Sequence, residues 1–207
     1  MKVVVSYINS RLSVKETIKL INESKADGVH VDLMDGVNVP NKNFDIDILP
    51  ELFVDNTKPL DVHMMVNEPH IYLDKILSLN PDCIYIDPKT DVGIVGLLDK
   101  MAMFGIKKGI VINPDVSVDS FEDLYLHVNR VLLMSVVPGA GGQRFMKQTR
   151  ERLLKLLEYQ KKYHFEIFVD GGINDETVLE VREADGVVSG SYICHKVNYD
   201  EAIASLK

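Results

Sequence analysis

The sequence predicts an α/β chain folded as a (β/α)8 barrel of the TIM type, a single domain over residues 1–207. Three observations predict it. Eight short apolar, β-branched runs punctuate the chain, and stretches with apolar residues three and four apart lie between them. The runs begin roughly every 20 to 35 residues, the size of a strand-plus-helix unit. They are also near-continuously apolar, as strands covered on both faces are. The rival is an open doubly wound sheet. No G-x-G-x-x-G follows the first run, which weakens its dinucleotide-binding version.

The elements follow in order. KVVVSYI (2–8) is the first strand. SVKETIKLINESK is a helix opened by Ser13 as N-cap, with Glu16 three residues on completing a capping box. GVHVDLM (28–34), PLDVHMM (59–65), DCIYID (82–87), KKGIVIN (107–113) and RVLLMSV (130–136) are strands two to six. TRERLLKLLEYQKK is a helix with Leu153, Leu154, Leu156 and Leu157 expected on one side and a basic end that suits the C-terminal pole of the dipole. FEIFVDG (165–171) and DGVVSGS (185–191) are strands seven and eight, and NYDEAIASLK closes the chain as a helix. The chain is short for eight such units, so several helices must be brief.

Composition sets outer bounds. The chain is 46% hydrophobic and 26% charged, as soluble globular proteins are. A net charge of −8 argues against a nucleic-acid or anionic-membrane partner, yet leaves room for a phosphorylated small molecule, whose site is local. No segment is long and apolar enough to cross a bilayer, and MKVVVSYINS lacks the apolar stretch and cleavage site of a signal peptide. Cys83 and Cys194 stand far apart without metal-ligand spacing, so a reduced, cytoplasmic setting is expected.

The second run carries an anomaly: VHVDLMDG places a histidine and two aspartates on or beside a buried strand. Alternation puts His30, Asp32 and Met34 on one face and Val29, Val31 and Leu33 on the other. The apolar set packs under helices, and the polar set points into the barrel near its C-terminal mouth, where such barrels keep their chemistry. His63 shares a face with Asp61 and Met65, and Asp170 ends the seventh run before Gly171. Two imidazoles and two carboxylates suit a divalent transition metal such as Zn²⁺, Fe²⁺, Mn²⁺ or Co²⁺. Singly, each also reads as a hydrogen-bonded core histidine or a turn-forming aspartate, and position alone leaves both readings open. Asp61 has no assigned role. Asp35 reads as a loop or capping residue, and His70, His127, His164 and His195 as surface or helix-end residues. Glycines cluster after strands six, seven and eight, in VVPGAGGQRF (136–145), DGG and SGS (189–191), where backbone N–H groups can approach an anion closely.

These pieces together resemble the ribulose-phosphate 3-epimerase family. VSYI, HVDLMDG with VPN at 39–41, PLDVHMMV, NPD at 113–115, MSVVPGAGGQRF, VDGGIN and SGS occur in the family's order across most of the chain. The resemblance implies an isomerase of carbohydrate metabolism that interconverts D-ribulose 5-phosphate and D-xylulose 5-phosphate, in the pentose phosphate pathway. Two-base proton transfer through a cis-enediolate is the implied route. It implies one divalent metal ion, Zn²⁺ first among the candidates, on His30, Asp32, His63 and Asp170, with Asp32 and Asp170 as the acid/base pair. Substrate contacts are implied for Ser6, Met34, Met65, Met134, Gly141, Gly142, Gly171, Gly172, Gly190 and Ser191. A homo-oligomer is implied as well.

Departures from the family pattern fall elsewhere. Val37 and Asn38 replace a His-Phe pair, Ala140 replaces an aromatic, Asp87 stands where the fourth strand commonly ends in His, and the connection between VDGG and SGS is short. They reshape the mouth and keep two alternatives open: 3-epimerisation of a ketohexose phosphate such as D-allulose 6-phosphate, and a non-catalytic sugar-phosphate-binding barrel. A decarboxylase of the same barrel type would carry Asp-x-Lys-x-x-Asp, which DLMDG lacks.

Overall fold

The computed structural model describes residues 1–43 and 46–207. Eight parallel strands close a barrel in chain order: β1 (Lys2–Ser6), β2 (Gly28–Met34), β3 (Leu60–Met65), β4 (Cys83–Ile86), β5 (Lys107–Ile112), β6 (Arg130–Met134), β7 (Glu166–Asp170) and β8 (Gly186–Ser189), with β8 pairing β1. All eight runs read from the sequence are present. Several stop earlier than the apolar pattern does, because their last residues turn outward to build the mouth. Asp87 and Asn113 lie just beyond β4 and β5, and Gly171 (φ 116°) leaves the strand region altogether.

The connections are α1 (Val14–Glu23), α2 (Leu49–Leu52), α3 (Leu73–Leu77), α4 (Ile94–Met103), α5 (Thr149–Tyr163), α6 (Ser191–Cys194) and α7 (Tyr199–Ala204). Three of the seven have only four or five residues, as the chain length demanded. After β5 and β7 the link is 3-10 helix, Val118–His127 and Thr177–Val181. No helix among the described residues is long and apolar enough to cross a membrane.

The capping box on α1 is complete: the Ser13 hydroxyl accepts from Glu16 N–H, and the Glu16 carboxylate accepts from Ser13 N–H. The leucine cluster of α5 divides. Leu153 and Leu156 are fully buried, but Leu154 is 45% exposed, since one residue's step around a helix turns it about 100° off the buried face. Lys161 and Lys162 occupy the last turn, and His164 ends the helix in the left-handed conformation (φ 61°).

Two layers of core follow from strand alternation. Val29, Val31 and Leu33 join the large cluster between sheet and helices. Val4, Cys83, Tyr85, Val111, Leu132, Met134, Val136, Phe168 and Val188 fill the barrel interior. Phe168 fits there because its neighbour in register is Gly186, where a Cβ would sit inside the ring's van der Waals envelope. Gly186→Ala is therefore expected to cost about 1–3 kcal/mol by overpacking, read as a lower urea midpoint with unchanged slope. A midpoint equal to that of the unaltered protein would show that the ring has room to move.

At the N-terminal end of the barrel, Arg130 is 2% exposed. Its Nη1 donates to both oxygens of Asp61 (3.0 and 2.9 Å) and to the Tyr85 hydroxyl (3.1 Å), while Nη2 donates to Asp82 (3.2 Å) and Nε to Glu166 (3.0 Å). The guanidinium lies 4.3 Å from the Phe168 ring centroid. This settles the inward-facing Asp61: it is the counter-ion of a buried arginine, remote from the mouth.

Candidate active site

At the opposite end of the barrel, β2 presents His30 and Asp32, β3 presents His63 and β7 presents Asp170. Strand register sets the placement, because Asp32 is paired with His63 and Met134 with Asp170. His63 Nδ1 lies 3.2 Å from Asp32 Oδ1, and His30 Nε2 lies 3.5 Å from the same oxygen and 3.9 Å from Asp170 Oδ2. One donor atom from each of the four residues falls within 4.8 Å of every other. The sequence reading anticipated this convergence.

The cluster fits a divalent cation on its own chemistry. His30 is fully buried and His63 2% exposed, yet both His30 ring nitrogens and His63 Nδ1 lack a hydrogen-bond partner. Buried polar atoms are rarely left so, and a ligated cation would satisfy the nitrogens that face the carboxylates. Ser6 on β1 donates to Asp32 Oδ2 at 2.8 Å, leaving Oδ1 turned toward the imidazoles. Asn43, which the sequence reading passed over, fixes the end of β2: its Oδ1 accepts from Met34 N–H (2.9 Å) and its Nδ2 donates to Asp32 O (3.0 Å). No local pattern marks Asn43, because its work is done across a loop. Ser135 similarly ties β6 to β7, donating from Oγ to the Asp170 and Gly171 carbonyls.

The two carboxylates are electrostatically unlike. Burial pushes Asp32 upward, but the His30 and His63 imidazoles outweigh it and hold the carboxyl well below the usual range. Burial raises Asp170, and the Asp32 charge raises it further. Opposed environments on two facing carboxyls are the arrangement expected of an acid and a base.

A cavity of about 960 Å³ opens over this cluster. Ser6, Asp32, Met65, Met134, Asp170, Gly141, Gly142, Gly171, Gly172, Gly190 and Ser191 all line it. Met34 does not; it packs with Val39 and Met65 behind the wall. One of these glycines is fixed by the backbone. Gly172 has φ 63°, and a Cβ there would come within 2.5 Å of Phe145 N. His195, read from the sequence as a surface or helix-end residue, also lines this cavity; its Nε2 donates to Asn9 O (2.9 Å), and Asn9 Nδ2 donates to Ser191 Oγ (3.0 Å). His70 is a surface residue paired with Asp91. Asp35 is the loop cap expected of it, accepting from Val37, Asn38 and Asn67 N–H. Asn41 donates to Gly139 O, joining the loop after β2 to the loop after β6.

Comparison with known proteins agrees with this geometry. In solved structures the barrel is similar to KGPDC from Streptococcus mutans, with a TM-score of 0.71 over 99% of this chain and 94% of that one; at 13% identity this shows the fold alone. Sequence relatives are much nearer. A ribulose-phosphate 3-epimerase of Helicobacter pylori (strain J99) is 39% identical over 188 residues, covering 89% of this chain and 87% of its own length. One from Aquifex aeolicus is 34% identical, covering 86% and 82%. The model of the ribulose-phosphate 3 epimerase family matches residues 4–194, a span that takes in β2 to β8, most of β1 and all four residues of the His/Asp cluster. With its barrel, its His/Asp cluster and its relatives in agreement, the chain belongs to the ribulose-phosphate 3-epimerase family.

Proposed function

We propose that the protein is a metal-dependent isomerase that interconverts D-ribulose 5-phosphate and D-xylulose 5-phosphate by inversion at C3, acting as one domain. The observation that carries this reading is the pair Asp32 and Asp170, on separate strands and pushed in opposite directions. C3 lies beside a ketone, so its proton is weakly acidic, and inversion needs removal on one face and delivery on the other. Asp32, kept ionised by its imidazole neighbours, takes the proton from one face. Asp170, whose pKa burial and the Asp32 charge push up to about 6, is the more readily protonated of the two and returns a proton to the opposite face. The roles exchange in the reverse direction, so the intermediate need not rotate.

A divalent cation held by His30, Asp32, His63 and Asp170 would supply Lewis-acid stabilisation of the enediolate charge. Two nitrogens and two carboxylate oxygens suit Zn²⁺ first, with Fe²⁺, Mn²⁺ and Co²⁺ as alternatives. Ser6 aligns Asp32. Met65 and Met134 form a polarizable wall that keeps water from the reacting carbons. The backbone at Gly141, Gly142, Gly171, Gly172, Gly190 and Ser191 suits a phosphate, so that grip on the remote end serves the reacting centre.

The test is conversion of ribulose 5-phosphate to xylulose 5-phosphate by metal-loaded protein, beside a panel of ketohexose 6-phosphates compared by kcat/KM. Turnover of the pentulose pair supports the reading, a clear preference for a hexulose reassigns the sugar, and no turnover of any ketose phosphate defeats it.

Metal loading has a proton signature. Burial lowers the His30 pKa, but the Asp32 and then the Asp170 carboxylates outweigh it and push it up to about 9. Below that value the metal-free imidazole holds a proton, which a cation must displace. Calorimetry at pH 7 in buffers of different ionisation enthalpy is expected to show release of about one proton per metal, fading as pH rises through about 9. Equal heats in all buffers would contradict this.

A further inference from the structure

A second cavity, of about 500 Å³, lies beside the first on the far side of the mouth. His63 and Met65 of β3, Asp87 after β4 and Asn113 after β5 contribute to its walls. It meets the larger cavity at Met65 and Pro138, which line both. In the closed ring β4 is four strands from β8, so Asp87 lies across the barrel from the loop after β8, while the loop after β6 borders both cavities.

Its polar groups are held in place. Asp87 is 7% exposed; Oδ1 accepts from Lys89 N–H (2.9 Å) and Oδ2 from Asn113 Nδ2 (2.7 Å). A carboxyl group has further lone pairs, and here they remain open. The other end of the clamp, Asn113 Oδ1, is buried without a partner. The rest of the wall mixes the apolar Val39, Met64, Met65 and Met146 with the polar Asn38, His63, Asp115 and Gln148, and no lysine or arginine lines the cavity. A compartment with two carboxylates, Asp87 and Asp115, and no lysine or arginine in its lining disfavours a phosphate and suits a neutral group that donates a hydrogen bond.

We propose that Asp87, positioned by Asn113, accepts a hydrogen bond from the C1 hydroxyl of the bound ketose phosphate and so determines specificity at the end of the sugar remote from the phosphate. This rests on the epimerase reading above. With C2 and C3 over the His/Asp cluster and the phosphate at the glycine loops, C1 is the one carbon left on the other side of C2. It is therefore directed toward β4. Pentulose and hexulose phosphates share this end, so the subsite selects for the hydroxymethyl ketone and is indifferent to chain length.

The probe is 1-deoxy-D-xylulose 5-phosphate, which differs from D-xylulose 5-phosphate only in lacking the C1 hydroxyl. Epimerisation of both is measured on metal-loaded protein and on the Asp87→Ala, Asp87→Asn and Asn113→Ala variants, with metal content and circular dichroism recorded for each. The unaltered protein is expected to prefer the hydroxylated substrate by about 10- to 100-fold in kcat/KM, the range of one hydrogen bond to a charged group. In Asp87→Ala the preference falls to about threefold or less, through loss on the hydroxylated substrate alone, while Asp87→Asn and Asn113→Ala give intermediate ratios. A ratio near one in the unaltered protein, or the same ratio in Asp87→Ala, overturns the proposal. The unaltered protein decides the first point even if a variant does not fold. Failure of the unaltered protein to epimerise xylulose 5-phosphate at all would instead sink the epimerase reading, and this subsite with it.

Discussion

Asp32→Asn and Asp170→Asn are each expected to lower epimerisation by about 10²–10⁴-fold, the range that a positioned acid or base contributes. Both residues also sit among the candidate metal ligands, so lost activity alone would not separate proton transfer from metal loss. Asparagine retains one oxygen donor, and metal content per chain is the first control. The sharper readout is exchange of the C3 proton in D2O, followed by NMR. If each carboxyl serves one face, Asp170→Asn still exchanges the proton of one epimer without inverting it, and Asp32→Asn exchanges the other. Near-normal epimerisation in either metal-replete variant would remove that residue from the mechanism. Exchange of both epimers by one variant would replace the two-base scheme with a single base.

The second large effect is on stability. Arg130→Met is expected to cost about 3–5 kcal/mol, because it strands a buried carboxylate. Asp61 would keep only the Tyr85 hydroxyl at 3.2 Å. For a chain of this size that corresponds to a fall in Tm of roughly 6–20 °C, at about 2–4 °C per kcal/mol. Arg130→Met combined with Asp61→Leu is expected to recover most of the loss, since replacing a buried ion pair by apolar side chains is often nearly neutral. Calorimetric unfolding of the single and double variants measures both. A double variant no more stable than the single one would show that Asp82, Glu166 and Phe168 hold Arg130 for reasons beyond Asp61. Turnover below the melting transition should survive, since Arg130 lies at the opposite end of the barrel from the His/Asp cluster.

The two ends of the barrel differ in how far the sequence discloses them. His30, Asp32, His63 and Asp170 are conspicuous because ionisable residues interrupt apolar strands at positions whose alternation faces inward, and three of them sit on two neighbouring strands. The capping box on α1 is equally legible, being complete within four residues. The Arg130–Asp61 pair is not. Its members are 69 residues apart, Arg130 the first residue of β6 and Asp61 the second of β3, where a charge usually meets solvent, so only closure of the sheet reveals them. Asp87 stood out as a departure and Asn113 as part of NPD, but their clamp joins ends of neighbouring strands that local periodicity does not connect. Leu154 and the 3-10 links after β5 and β7 escaped for another reason. Apolar spacing marks where a helical segment can lie without fixing its rotation or its pitch.

The arginine plug also governs traffic. With Arg130, Phe168 and Tyr85 sealing one end, the barrel is a cul-de-sac, and whatever enters must leave by the same doorway past the loops that follow β2 and β6. Two stereoisomers that share one vestibule must queue for it. The accumulating isomer therefore competes with the other for the one entrance.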